Sequence, residues 1–372
     1  MPYKDIHDEP FGASTIAKLE IFEDYAKAWI PTWVMQGTAT VGIFDFFAGS
    51  GYDNNGVPGS PIRLLIKIKE QIGNIFQKGT NVVVYFNEFE PKKREQKKFE
   101  LLKIACSEYL SNNPDVDRAI TLNLYNEDFE TLFPKLVPEI SSTPSLVLLD
   151  QNGIKALSEK YFLELENTKQ TDFLYFVSSS YILRFGELEE FRMHLNMDLE
   201  LLKESPYTFI HKSILEQLKA RLPIDSRLKL YPFSIKKEAN IYGIIFGASH
   251  PRAVDKFITI AWKRDEVSGE ANFDLHGDVK KDQGVLFGEQ PLTKIEGFKQ
   301  RLREKVLAGE LKDNFQVFDY CLNEAHLGKH ASDELRKMKK EKEIDFDGTS
   351  PLVTYEKVYK EKRICKYTIL RK

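Results

Sequence analysis

An apolar run through Val41, Ile43 and Phe44 ends in Asp45-Phe46-Phe47-Ala48-Gly49-Ser50-Gly51. Glycines at such a strand end let the backbone approach a ligand closely. A turn lined with amides at the head of a helix suits an anionic group. In S-adenosyl-L-methionine that group is the methionine carboxylate, so Asp45, Phe47, Ala48, Gly49 and Gly51 are the expected cofactor loop. An ordinary tight strand-to-helix turn has the same composition. Glu88 follows a second apolar run (VVVYFNE), 37 residues beyond Gly51. An acid there can accept both ribose hydroxyls of a nucleoside cofactor, or it can cap a helix. Asp128 follows a third run, where it can bond an adenine amino group with Phe129 against the ring, or cap the next helix. Asp150, in Asp150-Gln-Asn-Gly153, follows a fourth. A carboxylate at that place can orient or deprotonate a methyl acceptor, and Asn-Gly also reads as a plain turn.

These residues need a frame that brings strand ends together. Residues 14–35 carry apolar positions at helical spacing, with the helix expected to end before Pro31. Strands are expected near 41–46, 81–86, 119–125, 145–149 and 172–177, separated by helices at 61–75, 95–110, 129–137 and up to about 168. Strands that are apolar almost throughout are buried on both faces, which argues for a parallel α/β sheet with helices on both sides. A helical insertion over 185–222 precedes two further strands, 228–235 and 241–248, joined by a polar turn as an antiparallel hairpin, and then a helix over 254–263. Five parallel strands plus a terminal hairpin is the strand count of a Rossmann-like S-adenosyl-L-methionine methyltransferase sheet, expected over residues 1–265.

Residues 266–292 are rich in glycine and acids and read as a linker. Three helices at 293–309, 314–325 and 331–343, then an alternating 352–370 segment around a Lys-Glu-Lys-Arg turn, describe a winged helix over 293–372. Its last helix carries Arg336, Lys337, Lys339, Lys340 and Lys342, and the expected wing adds Lys360, Lys362 and Arg363. Arg336, Lys337, Lys340, Lys362 and Arg363 are the candidate nucleic-acid contacts. Asp333, Glu334, Glu341 and Glu343 oppose that reading, and winged helices also bind proteins. The segment from Leu327 to Lys372 carries a net +5, against −8 on the preceding 326 residues.

Composition bounds the rest. With 372 residues and 42% hydrophobic content, the chain has material for two ordinary domains. No apolar run reaches the length of a membrane span, and the first residues lack the basic-then-apolar pattern of a signal peptide, so a cytoplasmic location is expected. Cys106, Cys321 and Cys365 form no CxxC pair, which leaves buried thiols rather than a zinc knuckle or a disulfide framework. No cluster of metal ligands stands out, so a metal-dependent nuclease is disfavoured. His250 sits at a strand end, where a structural role suffices.

Together these residues resemble the three-Cys-motif partner protein family of bacteria. The resemblance rests on Asp45–Gly51 with Gly59-Ser-Pro61, on Asn87-Glu88, on Asp150 with Gly153, and on Phe246-Gly-Ala-Ser-His250 running to Ile260-Ala-Trp262. It spans about residues 14–265, and the winged-helix tail fits it. It implies a methyltransferase-like protein working beside a three-cysteine, radical-SAM-like partner, often in phage defence. Gln151 stands where the family carries proline, and the Pro-Pro pair of amino-methylating DNA enzymes is missing. No cysteine follows a proline near the fourth strand, which excludes cytosine carbon-5 chemistry. Two functions follow: a methyltransferase with Asp150 at the acceptor, or a non-catalytic adaptor that uses the same scaffold to bind DNA or a partner.

Overall fold

The computed structural model describes residues 10–90, 97–151, 159–168, 170–178, 210–237, 240–273 and 292–370. Its contacts divide the chain into two compact units, Met1–His250 and Pro251–Lys372.

The first unit is built on a seven-stranded sheet in the order β3-β2-β1-β4-β5-β7-β6. Strands β1 (Thr40–Asp45), β2 (Asn81–Asn87), β3 (Ile120–Tyr125), β4 (Ser145–Leu149) and β5 (Thr171–Ser178) are parallel. Strand β7 (Asn240–Ala248) runs antiparallel between β5 and β6 (Lys229–Lys237). This is the Rossmann-like methyltransferase sheet expected from the strand count. Every residue of β4 is buried, as a central parallel strand requires. The chain moves outward from β1 to β2 and β3, then returns to β4 on the other side of β1. Open α/β sheets bind ligands at such a reversal, beyond the carboxyl ends of the strands. Asp45 ends β1 in register with Phe86 of β2 and Leu148 of β4, so it stands at that point.

Helix α1 (Ala13–Val34) continues three residues past Pro31, where the sequence suggested a stop. Proline inside a helix costs about 3 kcal/mol, but Trp29, Ile30 and Val34 are all buried around it, and Met35 N–H donates to the Pro31 carbonyl at 3.0 Å. The helix expected over 61–75 is two, α2 (Ser60–Glu70) and α3 (Ile72–Lys78), broken at Gln71. Next come α4 (Lys97–Ser111) and an unforeseen short helix, α5 (Pro114–Ala119). Helix α6 (Phe129–Ser142) runs beyond its expected end and through Pro134 and Pro138. Helices α7 (Glu159–Asn167) and α8 (Ile210–Lys219) are the other helices among the described residues of this unit; most of the expected 185–222 insertion lies outside the described residues.

The second unit holds α9 (Pro251–Arg264), α10 (Lys294–Leu307), α11 (Asn314–Asn323) and α12 (Gly328–Lys340). A capping box of Thr293 and Glu296 starts α10, and Asp313 caps α11 by accepting from the Phe315 and Gln316 amides. The described part of the expected linker is packed: Ser268 and Ala271 are fully buried, and Lys294 Nζ donates to the Ser268 carbonyl at 2.7 Å. The wing differs from the expected hairpin over 352–370. Its strands are β8 (Ile344–Asp345), directly after α12, and β9 (Thr368–Ile369). Between them the chain folds back, with Val353, Val358, Cys365 and Tyr367 buried and a π-helical turn at Glu356–Lys360. Buried Asn314 fixes this loop, because its side chain donates to the Leu352 and Arg363 carbonyls and accepts from Cys365 N–H. All three cysteines are buried and unbridged.

Candidate functional site

The turn after β1 is closed by its own chain. Phe47 N–H donates to Asp45 Oδ1 at 3.2 Å, Ala48 N–H to the Asn87 carbonyl at 2.9 Å, and Gly49 N–H to Glu88 Oε2 at 2.8 Å. Three amides of the turn are thus already engaged by the protein itself. Positive φ at Gly49 (68°) and Gly51 (89°) lets it bend this tightly, and a Cβ on Gly51 would stand 2.6 Å from the Ala105 Cβ.

Asp45 is fully buried, and no donor among the described residues meets its Oδ2 in normal hydrogen-bond geometry, although the Ser60 hydroxyl stands close enough to favour the charged carboxyl. Burial pushes its carboxyl up to about 6 and Asp150 adds to the rise, while the Ser60 hydroxyl, the Phe47 amide and Lys18 oppose it. Burial likewise takes Glu88 to about 7, against the pull of the Gly49 amide, and Asp45 adds like-charge repulsion. An orphaned carboxylate oxygen in a buried turn calls for a cationic hydrogen-bond donor. The ammonium of a methionine-type cofactor supplies one, so the residues present fit S-adenosyl-L-methionine.

Asn87, which the sequence reading noted only as a neighbour of Glu88, ties the strand ends together. Its side-chain nitrogen donates to the carbonyls of Phe46 (3.1 Å) and Glu127 (3.0 Å), and its oxygen accepts from Glu127 N–H. A buried amide closing an otherwise apolar strand was the available signal. Asp128 caps α6, accepting from Glu130 N–H at 3.0 Å. Phe129 is 5% exposed and packs on Phe47, Phe46 and Tyr161 with ring centroids 4.9–5.5 Å apart, so it joins the turn to the core beneath.

Asp150 stands across the reversal from Glu88. Its Oδ2 pairs with Lys18 Nζ from α1, and that ammonium also lies 4.4 Å from the Phe176 ring centroid. Lys18 was absent from the sequence reading because nothing local marks one lysine on an amphipathic helix. Asp45, Glu88, Asp150 and Lys18 thus share one end of the sheet, whereas Asp128 is engaged by its helix.

In the second unit, the acids that oppose nucleic-acid binding are ion-paired. Arg303 of α10 pairs with Glu334 (2.9 Å), Glu343 (2.8 Å) and Glu341. Lys339 turns inward to Asp345 and to the Phe346 and Gly348 carbonyls. Arg336 holds Asp333 at 3.3 Å. Lys337, Lys340, Lys362 and Arg363 are exposed, and no ion pair engages them among the described residues. Lys362 and Arg363 lie on the folded-back loop rather than on a projecting hairpin.

Among the described residues, no group of three or more histidine, cysteine or acidic side chains could hold a metal, and no helix is long and apolar enough to cross a membrane. None of the curated proteins matches the chain. A solved structure named as an O-methyltransferase from Klebsiella pneumoniae is 10% identical, covers 64% of this chain and 90% of its own, and superposes with a TM-score of 0.31, too distant to bear on activity. Residues 277–351 match the family model of the GMT-like wHTH domain, which begins inside the stretch expected as a linker and ends between β8 and β9. The chain therefore carries a winged helix-turn-helix domain behind a Rossmann-like sheet.

Proposed function

We propose that the first unit binds S-adenosyl-L-methionine and transfers its methyl group to an acceptor held near Asp150. The observation that carries this reading is the buried, unpartnered Oδ2 of Asp45 at the reversal of a β3-β2-β1-β4-β5-β7-β6 sheet. Asp45 would accept from the ammonium of the methionine end. Glu88 would accept the ribose hydroxyls on the lone pairs its Gly49 bond leaves free, and the Gly49–Gly51 turn would let both ends of the cofactor approach. Asp128 and Phe129 would border the adenine. Once bound, the cofactor supplies an activated methyl group, which leaves the protein chiefly the task of positioning an acceptor. Calorimetry with S-adenosylhomocysteine tests this directly. Saturable one-site binding that Asp45→Asn abolishes is expected, and absence of binding to the intact chain sinks the proposal.

The winged helix would deliver a nucleic acid through Arg336, Lys337, Lys340, Lys362 and Arg363. The Arg303 clamp supports this, since its one positive charge offsets part of the field of three carboxylates around α12 and holds them in place. A three-Cys-motif partner and a role in phage defence belong to this proposal through the sequence resemblance alone; co-purification with a radical-SAM-like protein encoded nearby would test the partner. The second reading, a non-catalytic adaptor, is favoured by Gln151 after β4. Asp150→Ala separates the two: lost biological activity with intact cofactor affinity means chemistry, and retained activity means scaffold.

A further inference from the structure

Lys18 and Tyr25 lie seven residues apart on α1, so they project from nearly the same face, about 10 Å apart along the axis. Tyr25 Oη donates to Asp172 Oδ2 at 2.7 Å near the start of β5, and its ring meets Phe246 edge-on at 4.9 Å. Phe176 lies four residues farther along β5, about 13 Å at the usual rise per residue. Helix α1 thus runs antiparallel to β5 and delivers Lys18 to the carboxyl ends of the strands, beside Asp150 and Phe176. Phe176 in turn stacks on Tyr242 of β7, with centroids 5.4 Å apart and planes 17° from parallel.

Among the described residues, the valences of this pair are not filled. Lys18 has three N–H donors, and Asp150 Oδ2 is the one hydrogen-bond acceptor described for it; no described group bonds Asp150 Oδ1. Both side chains remain partly open, at 12% and 20% exposure. A cationic donor and a carboxylate acceptor therefore sit side by side at the border of an aromatic stack. Their charges cancel, so the place does not select an alkyl ammonium, which Lys18 would repel. It suits a flat neutral ring whose edge carries an acceptor nitrogen beside an amino group.

We propose that Lys18, Asp150, Phe176 and Tyr242 form the acceptor-binding wall, and that it takes a nucleobase-type ring with an amino group next to a ring nitrogen. Asp150 accepts from the amino group, Lys18 donates to the ring nitrogen, and the ring extends the Phe176–Tyr242 stack on the Tyr242 side, since Lys18 lies over the Phe176 ring. Lys18 is then a specificity-determining residue. This inference rests on the cofactor reading of Asp45 and Glu88.

The test uses the full chain saturated with S-adenosylhomocysteine and titrates 2-aminopurine riboside, which has this edge and whose fluorescence is quenched by stacking. Saturable quenching is expected. Lys18→Met and Tyr242→Ala should each weaken it at least tenfold, Lys18→Arg should restore it to within about threefold, and purine riboside, which lacks the amino group, should bind at least tenfold more weakly. Should Tyr242→Ala fail to fold, Phe176→Leu serves in its place. S-adenosylhomocysteine binding in calorimetry without any riboside quenching overturns this inference alone, as does quenching that survives Lys18→Met and Tyr242→Ala. Absence of cofactor binding overturns the reading beneath it.

Discussion

Glu88 Oε2 accepts the Gly49 N–H at 2.8 Å, so the acid at the end of β2 holds the turn that follows β1. Its Oε1 and the remaining lone pair of Oε2 are left to receive ribose hydroxyls. Glu88→Gln keeps the shape and an acceptor oxygen but loses the charge that strengthens such bonds. Affinity for S-adenosylhomocysteine should fall by about 1.5–3 kcal/mol, the range for hydrogen bonds to charged groups, with little change in thermal midpoint. Calorimetry paired with thermal denaturation checks both, and unchanged affinity would remove Glu88 from the site.

Asp45 and Glu88 also set a pH dependence. Both carboxyls are raised in the folded state, to about 6 and about 7. The ligand-free fold therefore holds more protons than the unfolded chain between about pH 4 and 7, and these two groups make stability fall as pH rises through that window, then level off. Binding of a net-positive cofactor runs the other way, since it needs both groups charged. Affinity for S-adenosyl-L-methionine should rise on the order of a hundredfold from pH 5.5 to pH 8 if both must ionise. Titrations at several pH values, with proton uptake or release measured in two buffers, decide the matter; a flat profile contradicts it.

Asp45→Asn separates stability from function. The native carboxylate is fully buried with an orphaned oxygen, an arrangement costly to the fold and useful only to a ligand. At pH 8 the variant should melt about 2–4 °C higher, as expected for a gain near 1 kcal/mol in a domain of this size, while losing cofactor binding. A lower melting point would mean that Asp45 serves the fold.

Much of this frame was legible in the sequence. The apolar runs ending at Asp45, Glu88 and Asp150 located three strand ends, because buried parallel strands leave an unbroken apolar signal and their carboxyl ends leave polar residues. What stayed hidden was long-range. Lys18 meets Asp150 across 132 residues of chain, and Arg303 reaches Glu334, Glu341 and Glu343 from another helix. No local spacing announces such pairs. Asp128 shows the complementary limit: cofactor contact and helix cap call for the same residue at the same place, and the structure places its side chain on Glu130 N–H.

Gly51→Ala tests the turn itself. A φ of 89° already penalises any side chain, and the added methyl would meet Ala105 at 2.6 Å. Destabilisation of about 2–4 kcal/mol is expected from strain plus overpacking, with cofactor affinity lost even where the fold survives at low temperature. Chemical denaturation gives the first quantity, and a cost under about 0.5 kcal/mol would show that the turn relaxes freely.

Arg303 decides what the winged helix presents to a polyanion. In the native protein its guanidinium takes up Glu334, Glu341 and Glu343, leaving Lys337 and Lys340 exposed on the same helix. Arg303→Met keeps much of the side-chain volume but frees three carboxylates beside those lysines. Binding of a mixed-sequence duplex at low salt should weaken by at least tenfold, because repulsion acts on the whole helix face. Lys337→Ala/Lys340→Ala should act differently: if each lysine neutralises one phosphate, the slope of log affinity against log salt becomes shallower by about 1.8. The two variants therefore distinguish a general field from direct contact. Equal salt slopes in the native protein and the double variant would show that α12 does not touch the nucleic acid.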